Sequence, residues 1–304
     1  MLPVLTGVFS SRARINSPGT FTSLVSGFDT SEILALRYLG STFFATGVSG
    51  KLTYSTNGTT WLNPNSTGFG TSPIWDISYG KGLYVAVGGS GKLATSTEGI
   101  NWTQRTSSFG TTSIFSITFD GTQFIAVGAN GKLATSTDGL VWTQRTSSFG
   151  TTFIYSVYYA NGKYIAAGSS GKLATSSDGI TWSQQVSNFG TSQINHIAFG
   201  SGNYVAVGAD GKISTSTDSI TWTTQSSPLG AITLKDITFG SDIFLVVGVN
   251  GQAAYSFDAT NWSQVGTNFD ISNIDATAYG PVSTLPSFLI AGELGKLSVA
   301  GIQN

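Results

Sequence analysis

Cysteine is absent from the 304 residues, and histidine and methionine occur once each. The missing thiols exclude disulfides and thiolate chemistry and leave the redox compartment unread. A single histidine, His196, excludes a multi-histidine metal site. No metal and no cofactor is expected. Charge is scarce as well: 10% of residues are charged, against roughly 25% in ordinary globular chains. The formal net charge is -1. That gives no support for a nucleic-acid partner, which would want a basic surface. No apolar run approaches the roughly 20 residues of a membrane span, so membrane insertion is not expected. The start, Met1 to Phe9, is mildly apolar, but Arg12 and Arg14 come after it and not before it, so it does not read as a signal peptide. Low charge by itself would fit a disordered tract. The 12% aromatic content and regular Val, Ile and Phe runs argue for a packed core instead.

What is present is a repeat. Six tryptophans stand at Trp61, Trp102, Trp142, Trp182, Trp222 and Trp262, one 41-residue step followed by 40-residue steps. A turn glycine recurs seven times, at Gly50, Gly91, Gly131, Gly171, Gly211, Gly251 and Gly295. Residues 114–146 show the content of one repeat. Ile114 to Phe119 is a strand, Asp120-Gly121 a turn, and Phe124 to Gly128 a second strand. Asn130-Gly131 is the type I′ hairpin signal, in which both central residues take positive φ. Lys132 to Ser136 is a third strand, Asp138-Gly139 a turn, and Val141 to Arg145 a fourth strand. No window carries the 3.6-residue period of a helix. Four strands per roughly 40–45 residues predicts an all-β chain folded as a seven-bladed β-propeller of four antiparallel strands per blade.

Seven turn glycines against six tryptophans predict how the ring closes. The chain ends before the seventh repeat reaches its fourth strand, and Phe21 precedes Phe28 as Trp102 precedes Phe109. The last blade is therefore expected to be closed by an N-terminal strand, which removes an exposed edge. The alternative is an open array of six and a half blades. The expected layout is one domain, 1–304. It has an arm at 1–18, the closing strand at 19–25, blades one to six at about 32–265, and the rest of blade seven at 273–300. A four-residue insertion around Gly280 to Pro286 distinguishes blade seven and falls on the bottom face, with the Asp-Gly turns. The Asn130-Gly131 turn and its equivalents share the top face with the inter-blade loops.

The segment Ser136-Thr137-Asp138-Gly139-Leu140-Val141-Trp142 recurs at Ser176 to Trp182, with variants beginning at Ser55, Ser96, Ser216 and Ser256. It resembles the Asp-box of sialidase-type propellers, with one residue fewer before the glycine. The resemblance implies a structural turn lying away from any active site. Its carboxylate would accept backbone N–H groups, and its tryptophan would pack between blades. The six tryptophans are accordingly read as structural. Sialidase activity would need three arginines on a carboxylate, and two of the five arginines, Arg105 and Arg145, sit at equivalent repeat positions. No pair of carboxylates suited to glycoside hydrolysis stands out. No catalytic residue is assigned.

The lysines Lys51, Lys92, Lys132, Lys172, Lys212 and Lys296 also repeat, with Gln252 breaking the set. They read as solvated turn lysines copied by duplication more readily than as a cationic ring. Positions that vary between blades carry more information. After a near-fixed Ile or Leu stand Leu34, Trp75, Phe115, Tyr155, Asn195, Lys235 and Asp275. Trp75, Phe115 and Tyr155, with Phe153 nearby, form an aromatic arc. Asn195, His196, Lys235, Asp236 and Asp275 form a polar one. Facing arcs at a channel mouth suit a sugar, whereas inter-blade packing alone would also use aromatics there. The candidate ligand residues are Trp75, Phe115, Tyr155, Asn195, His196, Lys235 and Asp275.

The text Tyr204-Val205-Ala206-Val207-Gly208, then Ser214 to Asp218, then Trp222 resembles repeats of bacteriophage tail and other virion-associated propellers. More loosely it resembles photosystem II assembly-factor propellers and secreted Asp-box proteins. The resemblance implies a non-enzymatic virion component, in a tail or fibre, that adheres to host-surface glycan or docks to other virion proteins. Its location would be the virion, after synthesis in host cytoplasm. A free carbohydrate-binding lectin is the alternative, and a glycoside hydrolase a more distant one.

Overall fold

A computed structural model describes residues 17–303. The apolar start, Arg12, Arg14 and most of the expected arm lie outside the described residues. The described chain forms seven sheets arranged as the blades of a propeller. Blade three has strands Ile114–Phe119, Phe124–Gly128, Leu133–Ser136 and Thr143–Arg145 in simple up-and-down order. Each blade's first strand packs beside the first strand of the next, so seven first strands surround the axis.

Local chemistry explains the blade. The turn after the second strand closes with Lys132 N–H donating to the Ala129 carbonyl at 3.2 Å. Asn130 has φ 55° and Gly131 φ 63°, as a type I′ turn demands. Gly131 is required for a second reason: a Cβ there would stand 2.1 Å from the Gly150 carbonyl oxygen of the next loop. Between strands three and four the Asp-box-like turn forms as the sequence suggests. Asp138 Oδ1 accepts from the backbone N–H of Leu140 and Val141 at 2.8 and 2.9 Å. Ser136 Oγ accepts from Gly139 N–H, and Trp142 Nε1–H donates to the Gly139 carbonyl. Trp142 lies beside Phe124 of its own blade, in a buried cluster that includes Val85, Val87 and Leu93 of blade two. Both Asp-Gly turns lie on one face: Gln123 beside the first turn of blade three donates to the Asp178 carbonyl of blade four's box.

Closure follows the expected route. Thr22, Ser23 and Leu24 pair antiparallel with Val299, Ser298 and Leu297. The pairing also extends back beyond the expected boundary, since Ser17 and Pro18 pair with Gln303 and Ile302. Phe21 is buried between blades six and seven among Leu245, Phe269 and Phe288. The blade-seven insertion lies on the bottom face, where Ser283 N–H donates to the Asn57 carbonyl of blade one's box turn.

Blade one departs from the pattern. Its fourth strand shrinks to one reciprocal bridge, Tyr54 with Leu62. The next reciprocal pair would join Leu52 to residue 64, and Pro64 has no N–H to give. The repeated lysines also need correction. They are neither a cationic ring nor simply solvated. Each folds back onto the carbonyl of the preceding loop: Lys92 Nζ donates to Phe69 O at 2.6 Å and Lys212 Nζ to Phe189 O at 2.7 Å. Lys51, Lys132, Lys172 and Lys296 repeat the contact. Blade six, with Gln252, has Leu229 where the others have phenylalanine.

Candidate functional site

The first strand of every blade contains a β-bulge near its top. The register shifts between Ile33 and Ala35, Ile74 and Asp76, Ile114 and Ser116, and correspondingly in the other four blades. The extra residue is the one singled out by its variability: Leu34, Trp75, Phe115, Tyr155, Asn195, Lys235 or Asp275. A bulge leaves its extra residue out of the ladder and re-aims its side chain. The near-fixed Ile or Leu before it is buried in all seven blades. It anchors the strand while the bulged residue turns to the axis.

All seven expected ligand residues line one cup at the top of the axis, with a volume of about 550 Å³. The aromatic arc is continuous. Trp75 meets Phe115 edge-on with ring centres 5.7 Å apart, and Phe115 lies 5.5 Å from Tyr155. Phe153 stands on the rim 6.0 Å from Phe115.

The polar arc is less free than its composition suggests. Asn195 Nδ2 donates to the Leu234 carbonyl at 2.6 Å, and its Oδ1 accepts from Gln193. His196 lies at the cup floor with Nδ1 2.7 Å from Asp236 Oδ1 and Nε2 3.3 Å from Arg37. A guanidinium can only donate, so Nε2 accepts and the ring proton sits on Nδ1, facing the carboxylate. Nε2 is thereby taken by Arg37, and Nδ1 is buried against the Asp236 carboxylate.

Arg37 closes the axis, and the bulged positions did not reveal it. It lies on blade one, two residues deeper than the Ala35, Asp76, Ser116, Ser156, His196, Asp236, Ala276 layer. It crosses to Asp76 of blade two (Nε to Oδ1, 3.0 Å) and towards Asp236 of blade six (3.7 Å). Burial pulls its pKa down, but Asp76 and Asp236 outweigh that and leave it raised. Burial likewise pushes the Asp236 carboxyl up, while His196 and Arg37 more than reverse it. Asp76 also accepts from Ser116 Oγ and Ile117 N–H, and Asp236 from Thr277 N–H. This network separates the cup from a lower chamber of about 200 Å³ that Arg37 and His196 also line. The sequence held one signal for it. Where blade one has Arg37, the other blades have Ser78, Thr118, Tyr158, Ala198, Thr238 and Ala278.

At the junction of blades seven and one the cup is acidic. Asp275 pairs with Lys235 at 3.2 Å, and its side chain is 7% exposed. Glu32, on the rim, also lines the cup. Burial raises the pKa of both carboxyls, and the negative charge of Asp275 raises Glu32 further. Among the described residues no three His, Asp or Glu side chains are grouped to hold a metal ion.

Comparison with known proteins reaches only the fold. No family model matches the chain, and no curated protein sequence does. Solved structures match over nearly the full length. A structure of YCF48 bound to D1 peptide is 17% identical, covers 95% of this chain and 98% of that one, and has a TM-score of 0.73. YCF48 from Cyanidioschyzon merolae is 16% identical, with 93% and 98% covered and a TM-score of 0.71. Virginiamycin B lyase from Staphylococcus aureus is 10% identical, with 94% and 99% covered and a TM-score of 0.80. The fold is therefore that of a seven-bladed propeller. The expectation of a phage tail or fibre protein is overturned: the similar structures are YCF48 and a streptogramin-type lyase, not virion proteins. Repeat text of this kind follows blade packing, which propellers of unrelated roles share. The adhesion role in a tail or fibre that rested on that resemblance goes with it, and the comparisons lend no support to a virion location or to a glycan or virion-protein partner.

Proposed function

We propose that this chain is a binding module and not an enzyme, and that its top cup takes a short polypeptide segment. The bulged ring carries this reading. One position per blade is released from the ladder and aimed into one cavity, and that same position differs in all seven blades. Duplicated blades keep residues that build the blade, so divergence at every position round a cavity wall is what recognition of an asymmetric ligand requires. The cup suits a side chain or two with flanking backbone. Its aromatic arc offers broad faces for apolar groups, and its rim offers Lys235, Glu32 and Asp275. YCF48, of the same fold, is bound to a D1 peptide, so the architecture accommodates polypeptide.

An acid–base reading of His196 and Asp236 has a physical objection. Nε2 is taken by Arg37 and Nδ1 is buried beside Asp236, so neither imidazole nitrogen is open to a substrate. The test is a random peptide library displayed to the wild type, to Trp75→Ala and Tyr155→Ala, and to Gln144→Ala on the exposed outer strand. Selected peptides are expected to lose binding to both cup variants and keep it for Gln144→Ala. A library that yields no binder, or binders indifferent to Trp75 and Tyr155, would overturn the reading.

A further inference from the structure

The acidic corner of the cup contains an unmet hydrogen-bonding demand. Asp275 Oδ1 faces Lys235 Nζ, but Oδ2 is fully buried and has no donor. Its neighbour is the Glu32 carboxyl, within hydrogen-bond reach; that contact holds only while the two share a proton, and with both ionised neither supplies a donor. Glu293 adds a further negative charge nearby but is satisfied locally, since both its oxygens accept from Asn273. Lys235 is the one cation in this corner among the described residues. Two carboxylates that share a desolvated corner and one ammonium are short of positive charge. An unpaired buried acceptor is costly to leave, so a donor that enters gains the whole of that difference.

The surroundings define the shape of the missing group. Leu34, Val48, Pro73 and Trp75 line the cup beside the acids. They form an apolar wall that begins one blade round the axis from Asp275 and ends two blades round in the aromatic face of Trp75. Aromatic faces attract cations as well as methylenes. The geometry points to a ligand cation on an apolar stem, a lysine or arginine side chain of a bound polypeptide, with its head between the Glu32 and Asp275 carboxyls and its stem along Leu34 and Trp75. This rests on the reading of the cup as a polypeptide site and names the residue type that enters it. A metal ion is the poorer occupant, because the acids are not grouped as ligands and an apolar wall offers it nothing.

The probes are three: an N-acetylated, C-amidated pentapeptide with one central lysine between glycines, the same peptide with that lysine acetylated, and n-butylamine. Affinity is read by titration calorimetry and location by the Trp75 indole N–H resonance. The lysine peptide is expected to bind and to shift that resonance. Acetylation should weaken it roughly 10- to 100-fold, the range for losing a charged hydrogen bond in a desolvated site. Glu32→Gln and Asp275→Asn should weaken it in the same direction. Lys235→Met, which removes the internal competitor, should tighten it. If Asp275→Asn fails to fold, the acetylated peptide and Lys235→Met still decide the matter. Equal affinity for the acetylated and free peptides, with the Trp75 shift retained, would overturn the cation and leave the cup reading standing. No binding of either peptide also overturns the cation, and the library selection then judges the cup independently. Butylamine as tight as the peptide would keep the cation site and overturn its polypeptide source.

Discussion

The bottom box turns and the top bulged ring come from the same repeat, yet they tolerate change in opposite ways. In the box the residue at the aspartate position varies and the bond does not. Asp138, Asp178, Asp218 and Asp258 each accept two backbone N–H groups. Where blade one has Asn57, its Oδ1 accepts from Thr59 and Thr60 at 2.9 Å. Where blade two has Glu98, it still accepts from Asn101. Every substitution leaves an oxygen in place. At the bulge nothing is kept: leucine, tryptophan, phenylalanine, tyrosine, asparagine, lysine and aspartate succeed one another. A turn that must satisfy two backbone donors constrains its residue, whereas a residue extruded from the ladder has no bond to preserve. The wall of the cup could therefore diverge without loss of the blade.

The sharpest way to break the contrast is to break the ring that makes both faces. Deletion of residues 1–26 removes the pairing of Thr22 to Leu24 and the buried Phe21. The outer face of blade seven becomes a free edge, which templates wrong pairing. Aggregation or a large fall in melting temperature is expected. A soluble variant melting within a few degrees of the full chain would show that closure contributes little.

Next in size come one residue from each face. Trp142→Ala removes a ring packed between blades two and three and should cost about 3–5 kcal/mol in chemical denaturation. Arg37→Met should cost a similar amount, about 3–5 kcal/mol, because it leaves Asp76 and Asp236 buried without their cation. Asp76→Asn made together with Arg37→Met should recover part of it. Trp75→Ala is expected to cost less, about 1–2 kcal/mol, since the ring is half-buried and its defined partner is one edge-on contact. A Trp75 variant as unstable as the Trp142 variant would mean that the bulged ring builds the blade after all.

These residues also mark what the sequence could and could not reveal. Blade count, strand order, the type I′ turns and the closing strand follow from periodicity, because a repeated bond requires a repeated residue. The bulged ring was legible through the opposite signal, divergence after a fixed Ile or Leu. The bulge itself was not recognised, although it leaves a mark: Ile74 and Ile77, like Ile114 and Ile117, share one buried face at a step of three instead of two. Arg37 was hidden for a different reason. Its partners Asp76, His196 and Asp236 are about 40, 160 and 200 positions away, and only the closed ring brings them together. Pro64 shows a local chemical veto: the repeat called for a fourth strand in blade one, and one missing N–H reduced it to a bridge. The role drawn from family resemblance failed because the resembling text is blade-building text.

The smallest expected effect separates the faces by sign. In the box turns, backbone N–H groups hold the Asp178 and Asp218 carboxyls down to about 2, from an ordinary 3.8. A carboxyl that is more acidic when folded stabilises the fold above its unfolded pKa and loses that contribution as pH falls towards its folded value. Bottom-face stability should therefore decline between 3.8 and about 2. Glu32 is shifted upwards by burial first and then by the charge of Asp275, and Asp275 by burial, which outweighs the pull of Lys235. The folded state binds their protons more readily than the unfolded one, so stability from this corner is full below their unfolded values of 4.5 and 3.8 and is lost as pH rises from there through the higher folded values. Melting temperature against pH resolves the two. Asp178→Asn with Asp218→Asn should flatten the steep limb below 3.8. Glu32→Gln with Asp275→Asn should instead raise stability at neutral pH relative to acid. If both pairs shift the curve in the same direction, the acids of the cup are not under the charge strain that their burial and proximity imply, and the case for a cation between them falls.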